Sequence, residues 1–185
     1  MCPAHRGPFD CRTLHVRSNF VSPDRKQRVP AKRRGEAVPV KMKPSSDDAH
    51  EIVFFRRHKD DDPKETIPGR DFLQTVCPGG VRAKFNAVLV AVATAPPKRF
   101  AGGGKWEAMK GLMTGWFEVR VDGPQRHHYR LYCRLDYEAE GTAKPLLVVI
   151  AGLDKAFRTE LSDADYKSVR DLGDEYLSRN PRSTA

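Results

Sequence analysis

Residues 115–136 read GWFEVRVDGPQRHHYRLYCRLD, and both halves of this stretch alternate apolar with polar side chains. A period of two marks strands with one face in a core, because successive side chains of an extended chain leave opposite faces. Phe117, Val119 and Val121 share one face of the first half, while Glu118 and Arg120 share the other. In the second half Tyr129, Leu131, Cys133 and Leu135 point one way; His128, Arg130, Tyr132 and Arg134 point the opposite way. The connector Asp122-Gly123-Pro124-Gln125-Arg126 is turn chemistry, so the halves fold back as a hairpin. Paired, they bury aliphatics on one face and gather arginines, a histidine and a tyrosine on the other. That second face suits an anionic ligand.

Working outward, the run Leu146-Leu147-Val148-Val149-Ile150 is continuously apolar, as in a central strand covered on both faces. Lys155 and Arg158 follow it and bring two cations beside the hairpin. Ser162-Asp163-Ala164-Asp165 is a capping pattern, and Tyr166, Val169, Leu172 and Tyr176 form the apolar face of a final helix. Gly173 inside that helix costs about 1 kcal/mol against alanine. Upstream, EIVFF at 51–55 is a short strand, and Phe72, Leu73 and Val76 have helical spacing up to Pro78-Gly79-Gly80. Val81, Phe85, Val88, Leu89 and Val92 then make one stripe of an amphipathic helix that Pro96-Pro97 stops. Gly102-Gly103-Gly104-Lys105 is not a phosphate loop, because Arg99 stands where glycine is needed and Trp106 where Ser or Thr is needed. It is expected to be a flexible turn before a short helix over 105–112, packed through Trp106, Met109 and Met113.

The formal charge of +9 is unevenly spread. Residues 1–45 hold 11 basic and 3 acidic side chains, and residues 72–135 hold 10 and 3, while the stretches 46–71 and 136–185 are each acidic by three. A positive block centred on the hairpin favours a phosphate-bearing partner. Residues 1–46, rich in Arg, Lys and Pro without apolar period, are expected to be a disordered basic segment. It reads as an RNA-binding arm, as a transit peptide, or as a tail ahead of a translation start near Met42; a dispensable arm or that later start is preferred. Residues 47–180 are expected to form the folded domain and 181–185 a disordered tail. Cys2, Cys11, Cys77 and Cys133 show no CxxC spacing, which implies neither a disulfide framework nor a zinc site and points to a reducing, cytoplasmic setting. The apolar run over 87–95 is too short to span a membrane.

The order strand, two helices, hairpin, central strand, final helix resembles the RelE/ParE superfamily of toxins. The match is carried by Trp106-Glu107-Ala108-Met109-Lys110-Gly111, then Trp116-Phe117-Glu118-Val119-Arg120-Val121, then Tyr129-Arg130-Leu131-Tyr132. It covers roughly residues 50–179 and is nearest the HigB-like, phage-type branch. The resemblance implies an α+β domain with a mostly antiparallel sheet of about four strands, helices packed on one side and a C-terminal helix. It implies an endoribonuclease that cuts mRNA on the ribosome as the toxin of a type II toxin-antitoxin system, silenced by a cognate antitoxin of helix-turn-helix type. No cofactor, metal or membrane is implied. By position, Arg130 matches the family's phosphate-binding arginine and Arg120 a basic residue of the first hairpin strand. Glu118 stands where the best-known members have lysine, so Glu118 or His128 is the candidate base. Lys155 and Arg158 match the basic segment after the central strand, Tyr166 a tyrosine near the final helix, and Arg134 extends the phosphate-facing row. Such chemistry needs a base for the ribose 2′-hydroxyl, cations for the phosphate and an acid for the leaving 5′-oxygen. The ParE-like branch, which poisons DNA gyrase, and a module that binds RNA or protein without cutting share the same fold.

Overall fold

The computed structural model describes residues 44–95 and 104–185. The chain divides into two units, Met1–Val40 and Lys41–Ala185, and all that follows concerns the second. Residues 1–43 of the expected disordered arm, the stop at Pro96-Pro97 and most of the glycine run lie outside the described residues; at the end of that arm Ser45 is held in a turn by the Asp48 carboxylate, which accepts from its N–H at 2.8 Å.

Among the described residues five strands form one sheet in the order β1-β5-β4-β3-β2. They are β1 (Glu51–Phe54), β2 (Trp106–Ala108), β3 (Trp116–Asp122), β4 (His128–Asp136) and β5 (Leu146–Lys155). Only β1 and β5 run parallel; the other neighbours are antiparallel, so the sheet is mixed and mostly antiparallel. The hairpin forms as its alternation requires, with Val119 opposite Leu131 and Arg120 opposite Arg130. Strand β5 is apolar and buried over residues 146–151 because both of its faces are covered there. Leu147 and Val149 enter one core; Leu146, Val148 and Ile150 enter the other.

Helices lie on both faces rather than on one. The short helix α1 (Pro68–Asp71) continues into a π turn (Phe72–Val76), and with α2 (Gly79–Thr94) it covers the face of Val119, Leu131 and Cys133. The expected stripe does this work, since Val81, Phe85, Leu89 and Val92 are all buried. Helix α3 (Asp163–Leu177) covers the opposite face through Val169 and Tyr176, against Trp116, Tyr132 and Val148. Its start is fixed by reciprocal bonds: Ser162 accepts from the Asp165 N–H, and the Asp165 carboxylate accepts from the Ser162 N–H. Two helical stripes from opposite ends of the chain cannot both fit one side of a sheet whose two faces are apolar at β5.

Two further expectations are corrected. The segment after the glycine run is a strand and a 3₁₀ turn (Gly111–Met113), not a helix over 105–112. Trp106 stacks on the Phe117 ring at 4.7 Å with planes 7° apart, and pairing to the free edge of β3 overrides the weak helical spacing. This strand is the fifth of the sheet. The last five residues, expected to be disordered, run beside β1: Phe54 and Ala185 exchange backbone bonds of 3.1 and 2.9 Å, and Thr184 bridges Phe55. Arg182 donates to Asp136 at 2.8 Å and to the terminal carbonyls of Leu177 and Arg179, closing the end of α3. Backbone pairing on an edge strand leaves no hydrophobic period to read.

Candidate functional site

The second face of the hairpin is half covered. At its Trp116 end α3 packs closely: a Cβ built on Gly173 would stand 2.3 Å from the Trp116 ring, so the glycine is what admits that ring. Tyr132 is fully buried there, with Tyr166 edge-on to it at 6.1 Å. Arg134, expected among the phosphate ligands, instead lies over the Trp116 ring at 5.0 Å. Burial lowers its pKa against the pull of Asp174 and Asp136. Toward Asp122 and His128 the face opens, and Glu118, Arg120, His128 and Arg130 gather there.

Glu118 sits at the centre, 3 % exposed. One carboxylate oxygen accepts from Arg120 Nε at 2.6 Å and the other from Arg130 Nη1 at 2.5 Å. Arg120 also reaches Glu107 on β2 at 2.8 Å. Burial works against the Arg120 charge, but Glu118 and Glu107 outweigh it and raise its pKa. With both oxygens occupied by cations, Glu118 is a counter-ion that holds the two arginines in place, a poor disposition for a base.

A cleft of about 520 Å³ opens beside this cluster, lined among others by Lys84, Lys105, Arg120, Asp122, His128 and Arg130. A second cleft of about 210 Å³ is lined by Arg130, Lys155, Glu160, Leu161 and Tyr166. Arg130 thus borders both. Its Nε is buried without a hydrogen-bond partner among the described residues, and the Tyr132 hydroxyl is buried beside Tyr166. Burial, with Tyr166 and Glu118 nearby, pushes the Tyr132 pKa up and keeps the hydroxyl protonated. Lys155 is turned to its own segment, donating to the Thr159 carbonyl at 2.6 Å. Arg158 lies over Phe157 at 5.4 Å.

His128 lines the cleft with one of its ring nitrogens unpaired among the described residues. Asp122 Oδ1 lies 2.5 Å from Nδ1 and fixes the ring, while Nε2 has no protein partner among the described residues. With Nδ1 paired to Asp122, Nε2 is the ring nitrogen left to exchange a hydrogen bond with a ligand. Neighbouring His127 is held through its other nitrogen, Nε2, 2.5 Å from Asp154. Cysteine chemistry has no place here: Cys77 and Cys133 are buried, and burial pushes the Cys77 thiol up to about 11.

Of the residues singled out from sequence, the structure brings Glu118, Arg120, His128 and Arg130 together and places Lys155 and Tyr166 at the adjoining cleft. Sequence reasoning missed Lys84, Lys105 and Asp122. Lys84 comes from the polar side of α2, and only the packing of that helix on the hairpin shows that it points here; its Nζ donates to the Asp122 carbonyl at 3.3 Å. Lys105 belonged to a run set aside as a turn, and its carbonyl accepts from the Arg120 N–H at 2.9 Å. Asp122 looked like turn chemistry alone.

Fold and site together define an α+β domain with a cationic cleft at the open end of a hairpin. Comparison of the chain with protein-family models, with curated proteins and with solved structures finds no match in any of the three. No helix among the described residues is long and apolar enough to cross a membrane.

Proposed function

We propose that this chain is an endoribonuclease that cleaves single-stranded mRNA in the cleft at the hairpin's open end. The observation that carries the reading is His128, oriented by Asp122 and facing a cleft that also holds Lys84, Lys105, Arg120 and Arg130. In this scheme His128 Nε2 accepts the proton of the ribose 2′-hydroxyl, and the 2′-oxygen attacks the neighbouring phosphorus. The cations stabilise the phosphate oxygens as negative charge builds. The proton taken by His128 is then available to the leaving 5′-oxygen, and the products end in a 2′,3′-cyclic phosphate and a 5′-hydroxyl.

The order of the tryptophan, hairpin and tyrosine-arginine motifs along β2, β3 and β4 supports the biological setting. It is that of a cytoplasmic toxin of the RelE/ParE superfamily, HigB-like, acting on mRNA at the ribosome and restrained by a cognate antitoxin. A second reading has one observation in its favour. Arg120 and Arg130 already carry a carboxylate partner, as they would in a module that binds without cutting.

Expression of the chain without an antitoxin, with transcript ends mapped, tests the proposal. Growth arrest with new transcript ends inside coding regions is expected. Arrest with intact transcripts and loss of DNA supercoiling would favour the gyrase-directed alternative, and unimpaired growth with intact transcripts would favour the binding module.

A further inference from the structure

Strand β5 ends at Lys155, and two residues later Phe157 stands 44 % exposed beside the cleft. Its surroundings are not those of a stray core residue. The Arg126 guanidinium lies 5.3 Å from the ring centroid and that of Arg158 5.4 Å. The His128 ring is 5.8 Å away, inclined by 37°. The two arginines come from separate loops, one in the hairpin turn and one after β5. Both hold positive backbone φ, 58° for Arg126 and 63° for Arg158. Arg126 follows Gln125, at φ 55°, in the hairpin turn, and Arg158 sits in a turn closed by the Thr159 N–H donating to the Ala156 carbonyl at 3.2 Å, so the two turns set both backbones. Two such residues therefore converge on one solvent-facing aromatic ring that also touches the histidine of the cleft.

We propose that Phe157, with Arg126 and Arg158, is a nucleobase-stacking subsite that takes the unpaired base next to the phosphate bound at His128. The inference rests on the ribonuclease reading above and deepens it, since it specifies single-stranded RNA and gives Phe157 a role. An aromatic ring and guanidinium planes are the groups on which splayed-out bases stack, and the stacking tolerates sequence because every base has a π face. A double helix keeps its bases inside and cannot offer one to this ring. The positive charge around the ring tracks the backbone, and the ring itself reads whether a base is present.

The test uses the full chain and an uncleavable, fluorescently labelled 2′-O-methyl heptanucleotide, with binding followed by anisotropy. A second heptamer carries the same backbone with every base removed. Phe157→Ala should bind the intact heptamer about tenfold more weakly than wild type. It should bind the base-free heptamer equally well and keep the same dependence on salt. Phe157→Trp should restore affinity for the intact strand to within about twofold. The proposal is overturned if Phe157→Ala binds the intact heptamer like wild type, or loses as much affinity for the base-free strand, as expected for a polyanion or acidic-peptide surface. If the wild type binds neither strand, the ribonuclease reading falls and the subsite with it. If it binds and cuts RNA while Phe157→Ala is indifferent, the subsite alone is wrong.

Discussion

Arg120 and Arg130 stand directly opposite each other on β3 and β4. Like charges so placed repel, and Glu118 between them is what makes the pair tolerable: each arginine takes one of its oxygens. Glu118 is buried and Arg130 is 18 % exposed, whereas Arg120 is 42 % exposed and shares its charge with Glu107. Glu118→Ala should therefore cost about 3 kcal/mol in a urea melt, because it strands buried positive charge. Arg120→Ala, at the solvent side, should cost less than about 1 kcal/mol. Glu118→Gln should bind RNA more tightly than wild type, since the carboxylate charge that competes with phosphate for the two guanidiniums is removed. Weaker binding by Glu118→Gln would contradict the counter-ion role.

Asp136 ties the end of the chain to the sheet. Burial alone would raise its pKa, but bonds from the Glu138 N–H, Arg182 and Tyr176 outweigh it and hold the carboxyl below the usual range. The stability it contributes is thus complete above an ordinary carboxylate pKa of about 4 and fades as pH falls through the lower folded value. Arg182→Ala should cost about 3 kcal/mol at pH 7 and progressively less in acid. Denaturation midpoints of both proteins between pH 7 and pH 3 check this; a gap that stays constant would show that Arg182 acts through packing alone.

Gly173 is read from sequence as a defect of α3, and helix propensity alone predicts that alanine would stabilise by about 1 kcal/mol. The Trp116 ring over that glycine reverses the expectation. Gly173→Ala should destabilise by about 1–3 kcal/mol in thermal or urea unfolding, as overpacking does. A stabilised variant would mean that the ring moves away freely.

The hairpin, β5, the α2 stripe and the α3 cap were legible because each is a local periodic or capping signal. What the sequence did not show depends on contacts across the chain. Trp106 became a strand residue because β3 had a free edge, and 181–185 became ordered because β1 had one. Neither edge is visible before the sheet is assembled. The site follows the same division. Arg120 and Arg130 lie on one strand face and are found by alternation, whereas Lys84 and Lys105 reach the cleft only when α2 and β2 pack. The row of arginines also looked uniform in sequence. In the structure Trp116 takes Arg134 for the covered half of the face, and Arg120 and Arg130 remain in the open half.

The most direct measurement is single-turnover cleavage of a labelled oligoribonucleotide by wild type and by His128→Ala, with affinity for an uncleavable analogue measured alongside. Wild type is expected to release a product ending in a 2′,3′-cyclic phosphate. His128→Ala is expected to be slower by a factor of about 10² or more, with affinity changed no more than about twofold. A His128→Ala protein that cuts at the wild-type rate, or a wild type that leaves this RNA intact both free and bound in a ribosome, would contradict the assignment of the cleft as a ribonuclease site.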